Sequence, residues 1–257
     1  MNELKAEALH ATENQSLPKT VAEAENAQGT FLFPGRWEGQ MREMTTGEED
    51  MLLNRRSGRD TRTINKVLQA CLVSPEVNVM DLLIGDRVFA MIQLRRLTYG
   101  DEYAFKVTCP RCNNRFEWEE NLGDLKVQYL QDPAWADPEH RFTFTLPKSG
   151  KTIKWRMMRG KDEQKLALLR REFPEAIMSS IMALRITEIE GEKMVSRKFL
   201  SGLPASDAAA FRGEVESKEC GVDTTIAIEC LDCGNVFDID LPIGADFFLP
   251  KKVTKTR

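Results

Sequence analysis

The sequence predicts an α+β fold built as a tandem pseudo-repeat, each half running from a hairpin through helices to a cysteine-bearing knuckle. Three observations carry that reading. Two CxxC pairs, Cys109-Pro-Arg-Cys112 and Cys230-Leu-Asp-Cys233, stand 121 positions apart. Alternating apolar residues flank both pairs: Phe105, Val107, Phe116 and Trp118 around the first, and Ile226, Ile228, Phe237 and Ile239 around the second. A period of two marks strands, and two strands joined by a tight turn would present both sulfurs together. Upstream, Arg42, Met44, Glu48, Glu49 and Leu52 align with Arg156, Met158, Asp162, Glu163 and Leu166 at an offset of 114, and Asp86, Gly100 and Asn114 align with Asp207, Gly221 and Asn235 at 121.

The elements follow in order. Residues 1–29 lack a sustained apolar period and read as a flexible N-terminal arm. The first half covers 30–127. Within it Ile64, Val67, Leu68 and Cys71 follow the i, i+3, i+4, i+7 rule of an amphipathic helix. A second helical stretch with Val88, Met91, Ile92 and Leu94 is expected to stop at Gly100, a natural residue just past a helix end. The second half covers 128–250. Phe142, Phe144 and Leu146 alternate, Lys148-Ser149-Gly150 turns the chain, and Ile153, Trp155 and Met157 alternate again, a hairpin signature. Gly160-Lys161-Asp162-Glu163 opens a helix with its carboxylates at the positive end of the dipole. Leu166, Leu169 and Phe173 form its stripe, Ile177, Ile181 and Leu184 that of the next helix. Ser206 is the expected cap of the last helix, which would stop at Gly221. Residues 251–257 form a short basic tail.

Bulk properties narrow the function. The chain has 257 residues, 42% hydrophobic and 30% charged, with a formal net charge of −4. That balance creates no global attraction for nucleic acid or an anionic membrane, and no apolar run or signal segment predicts membrane insertion. Six cysteines, four of them in CxxC pairs, fit metal in a reducing compartment better than a disulfide framework. Four thiolates from Cys109, Cys112, Cys230 and Cys233 make a structural Zn²⁺ site, one per chain, with no coordination position left for water. Iron accepts the same donor set. Cys71 and Cys220 read as packed small residues, and His10 and His140 as surface histidines.

No catalytic constellation emerges, and the chain does not read as an enzyme. Pro147-Lys148-Ser149-Gly150-Lys151-Thr152 has the ending of a phosphate-binding loop, but Thr145 stands where the motif needs glycine and a strand pattern follows. The acidic pairs Glu48-Glu49 and Asp162-Glu163 fall at helix starts and read as caps. Arg95-Arg96 is the one basic feature considered for phosphate contact.

The run Phe144-Thr145-Leu146-Pro147 through Gly160-Lys161-Asp162-Glu163, then Phe199-Leu200, Leu203-Pro204-Ala205-Ser206-Asp207, Gly221-Val222-Asp223-Thr224, Cys230-Leu231-Asp232-Cys233-Gly234 and Phe247-Phe248-Leu249-Pro250, resembles the T-even-type bacteriophage baseplate hub or baseplate assembly proteins and their relatives in phage-like contractile injection systems. The likeness extends over residues 30 to 250; the long polar arm departs from it. The resemblance implies a non-enzymatic structural or assembly role at a contractile tail baseplate, assembled in the bacterial cytoplasm, with hub, tube or tape-measure proteins as partners. From the residues themselves the expectation is a rigid adaptor stapled by zinc. The alternative is a zinc-ribbon nucleic-acid-binding or transcription-associated module, but Glu117, Glu119, Glu120, Asp238 and Asp240 beside the knuckles would repel phosphate.

Overall fold

A computed structural model describes residues 16–26, 29–54, 61–74, 76–193 and 195–249. The chain runs β1 (Thr30–Leu32), β2 (Glu38–Gln40), α1 (Thr46–Leu53), α2 (Thr61–Cys71), α3 (Ile84–Tyr99), β3 (Glu102–Thr108), β4 (Arg115–Asn121) and β5 (Val127–Gln128). It continues through β6 (Phe142–Thr145), β7 (Thr152–Trp155), α4 (Gly160–Glu172), α5 (Ile177–Arg185), β8 (Ile186–Ile189), α6 (Arg197–Ser201), α7 (Ala205–Lys218), β9 (Gly221–Val222), β10 (Thr225–Glu229) and β11 (Val236–Asp240). The mixed α and β content agrees with the expected class. The sheets are small and antiparallel: β1–β2, β3–β4, β5–β9 and β10–β11 are two-stranded, and β6–β7–β8 has three strands.

Sheets this small are marginal alone and need packing against other elements. Two apolar clusters supply it. The first gathers Phe31, Phe33, Leu68, Phe89, Ile92, Leu94, Tyr103, Phe105 and Val107, and it also takes Ile226, Ile228, Phe247 and Phe248 from the far end of the chain. The second centres on Trp155, stacked on Phe142 at 4.4 Å and meeting Phe211 edge-on at 5.8 Å. The β10–β11 hairpin thus lends its apolar face to the cluster that also holds β3. That placement brings the two cysteine turns together.

Helix α3 is buried almost all round, so its polar residues must find partners inside. Asp86 accepts from the Gly35 N–H at 2.6 Å and the Trp37 indole N–H at 2.9 Å, pinning the β1–β2 turn. The Arg87 guanidinium reaches Val79 O, Asn65 Oδ1 and, at 2.8 Å, Glu163 of α4. Gln93 donates to Val21 O at 2.9 Å. In the other half Asp207, in the first turn of α7, accepts from the Lys148 and Ser149 N–H groups at 2.7 and 3.0 Å and pins the β6–β7 turn. Arg42 grips Glu48 at 2.9 Å, and Arg156 grips Asp162 at 2.7 Å. Each of these carboxylates also accepts a main-chain N–H three residues before it, from Thr45 and Arg159. These acids do more than complement a helix dipole: each ties the strand exit to the helix start.

Several local expectations change. Residues 16–26, assigned to a flexible arm, lie against the first cluster: Val21 and Ala24 are buried, and Val21 N–H donates to Leu125 O at 2.9 Å. The rest of the arm before residue 16, together with 27–28 and the basic tail 251–257, lies outside the described residues. In helix α7 Pro204, not Ser206, occupies the N-cap position, without a side-chain cap hydrogen bond, and the helix ends at Lys218. Gly100 does close α3, with φ 86°, but Gly221 opens β9. The close approach there belongs to Gly85, where a Cβ would meet Cys220 O at 1.9 Å. In α5 the buried positions are Ser179, Ser180 and Met182, while Ile177 is exposed. Both serine hydroxyls donate back to Ala176 O, which makes their burial tolerable.

Two outcomes follow. Asp86→Ala leaves two inward-facing donors unpaired, so its urea midpoint should fall at unchanged slope, a stability loss of about 2–5 kcal/mol; a loss below about 1 kcal/mol would show that the turn is not pinned there. The hydrogen bonds of Arg42 and Thr45 hold the Glu48 carboxyl down at about 2, against an ordinary 4.5. Its contribution to stability is therefore complete above pH 4.5 and is lost as pH falls toward 2. Arg42→Ala should shrink the stability difference between about pH 3 and about pH 7; an unchanged difference would contradict the pairing.

Candidate metal centre

The cysteine turns are built alike. Thr108 pairs with Arg115 and Glu229 with Val236, so each turn is the six-residue stretch between paired strand ends. Cys109 N–H donates to Asn114 O at 2.9 Å, and Cys230 N–H to Asn235 O at 2.9 Å. Asn113 N–H returns to Cys109 O at 3.0 Å, as Gly234 N–H does to Cys230 O at 2.9 Å. Asn113 and Gly234 sit at φ 57° and 65°. That left-handed conformation suits asparagine and glycine, the residue types the sequence offers there.

The hairpins converge so that the sulfurs of Cys109, Cys112, Cys230 and Cys233 all lie within 4.8 Å of one another. Two contacts cross between hairpins, Cys109 to Cys233 and Cys112 to Cys230, both 3.7 Å. Tetrahedral coordination with metal–sulfur bonds of about 2.3 Å separates sulfurs by about 3.8 Å. The distances therefore fit a metal, and they are far too long for the S–S bond of about 2.05 Å in a disulfide. Cys109 and Cys230 are buried and Cys112 is exposed, so the cluster is anchored on its inner side and open to loading from outside.

The surroundings favour a shared negative charge. Burial pushes the Cys109 thiol up, but the N–H groups of Cys112 and Arg111 and the thiols of Cys112 and Cys230 outweigh it, bringing it down to about 7. At Cys112 the Asn114 N–H lowers the thiol, yet desolvation and the neighbouring cysteines push it up to about 12. One sulfur gives up its proton easily, and the next is then held back by that charge. A cation at the centre removes the conflict.

Other sequence candidates part from this site. Cys71 is fully buried in the first cluster, and burial raises its thiol to about 11. Cys220 is packed against the second cluster. Lys148-Ser149-Gly150 is the β6–β7 turn held by Asp207, with Gly150 at φ 69°. Arg95 is buried over the rings of Tyr99 and Tyr103, and Arg96 pairs with Asp101 at 2.7 Å, so neither is presented to phosphate. His140 lies edge-on to Phe142 at 4.5 Å. Arg87 and Arg159 were missed: Arg87 joins α3 to α4, and Arg159 donates to Asp81 O and Ala136 O. The only signal for Arg87 was a charge one position from the apolar stripe.

Metal content of single variants tests the ligand set. Cys112→Ser and Cys233→Ser should each lower metal per chain severalfold in native mass spectrometry, while Cys71→Ala leaves it unchanged. Equal loss in all three would overturn the assignment.

Residues 31–136 match the family model described as T4 bacteriophage base plate protein. The match runs from β1 through the first cysteine turn and stops short of β6. It supports a T4-type baseplate protein family. No curated protein and no solved structure matches the chain. Among the described residues, no helix is long and apolar enough to cross a membrane.

Proposed function

Proceeding from the T4-type baseplate family indicated by residues 31–136, we propose that this chain is a non-enzymatic adaptor of a contractile tail baseplate, its two halves stapled by one Zn²⁺. Hub, tube or tape-measure proteins are its partners, and the virion tail or a related injection particle is its location. The observation that carries the reading is the convergence of four sulfurs from opposite halves of the sequence within 4.8 Å.

Further support comes from the paired devices in the two halves. A buried aspartate at a helix start pins a hairpin turn in each, Asp86 with Gly35 and Asp207 with Ser149. An arginine exiting a strand grips an acid at the third position of the next helix in each. We read these as a tandem pseudo-repeat whose knuckles share one ion. Cys109 and Cys112 with Cys230 and Cys233 would hold it, and the ion would supply charge neutralisation and fixed geometry.

The energetics suit a staple. Structural zinc contributes about 10–16 kcal/mol in small peptide systems, comparable with the whole stability of an ordinary domain, about 5–15 kcal/mol. The second hairpin adds its apolar residues to the first cluster. Removing the ion would therefore also loosen the packing on which β3 depends.

Purification of the native particle followed by metal analysis is the test. The expected result is recovery of the chain with tail proteins at one zinc per copy. Absence from the particle and from its assembly intermediates would end the baseplate reading; presence without metal would end the staple alone.

A further inference from the structure

Two exposed surfaces are left over by this account, and they complement each other. Helices α4, α5 and α6 pack in sequence, yet together they expose Leu168 at 64%, Met178 at 42%, Ile177 at 40% and Phe199 at 39%. Isolated exposed apolar residues are ordinary; several on one run of packed helices mark a contact surface. The exposed charge on the same helices is mainly positive: Lys161, Lys165, Arg170, Arg171 and Lys198, against Glu172. The second knuckle presents the opposite. Leu231 at its tip is 79% exposed and Val236 65%. Val236, Asp238 and Asp240 share the outward face of β11, and Glu229 stands opposite Val236.

We infer that the knuckle of one copy docks, through Leu231, Val236 and their flanking carboxylates, on the basic apolar face of α4–α6 of a second copy. Opposite charge sets the pairing and the apolar residues supply the burial. The two surfaces belong to different parts of the molecule. The knuckle packs on the first apolar cluster, whereas Met182 of α5 and Leu200 of α6 belong to the second. Mating them between copies gives a head-to-tail contact, which closes into a ring or extends as a chain. The inference goes beyond the adaptor reading and does not require the baseplate assignment.

Sedimentation velocity on the 257-residue chain tests it. The sedimentation coefficient should rise with concentration at low salt, and the rise should be weaker in about 0.5 M salt, where exposed charges are screened. Lys165→Glu with Arg171→Glu, and separately Asp238→Lys with Asp240→Lys, should each weaken association at least tenfold. Mixing the two double variants should restore it, because each retains one intact surface and the altered pair is charge-swapped. Leu231→Ser, a change at an exposed tip, should weaken association without altering the circular dichroism spectrum. A wild-type chain that stays monomeric at every concentration, variants that associate like wild type, or a mixture that stays monomeric would each overturn the inference.

Discussion

Four thiols held within 4.8 Å of one another are an arrangement that protein groups alone do not favour. Protonated sulfurs make only weak hydrogen bonds, and ionised ones repel. The opposed shifts of Cys109 and Cys112 express that conflict. What brings the sulfurs together is packing: β3–β4 and β10–β11 give their apolar faces to one cluster, and the six-residue turns at their ends present the cysteines at matching heights. The fold thus sets up a problem that a tetrahedral cation resolves. The rest of the architecture keeps the two hairpins in position.

That packing is supported by long-range polar contacts. Asp86 binds a turn 51 residues away, Arg87 an acid 76 residues away, and Asp207 a turn 58 and 59 residues away. The first apolar cluster contains residues from Val21 to Phe248, nearly the whole described chain. Such contacts give no reward until both ends have arrived, so the fold is favourable only when nearly complete. A metal held between β3–β4 and β10–β11 would act on the hairpin that comes latest in the chain.

Local pattern revealed what local physics determines. The cysteine turns, their flanking strands, the β6–β7 hairpin and the start of α4 were legible because period-two alternation, CxxC spacing and turn residues are short-range signals. Asn113 and Gly234 were readable as left-handed positions for the same reason. Tertiary placement was not. Nothing local says that Ile226 and Ile228 join the cluster around Phe105, or that 16–26 is held down by Leu125. The burial of Ser179 and Ser180 is tolerated because their hydroxyls bond back to Ala176 O, a compensation invisible to an apolar-stripe reading. Glu48 and Asp162 were legible as helix-start acids, but their arginine partners lay at corresponding positions without a local cue that they touch.

X-ray absorption at the zinc edge of the intact chain tests the central claim most directly. The expected result is a single shell of four sulfur scatterers at about 2.3 Å and no nitrogen or oxygen neighbour. A shell with two sulfurs and lighter atoms would mean that the pairs bind separately, and the staple between the halves would be refuted.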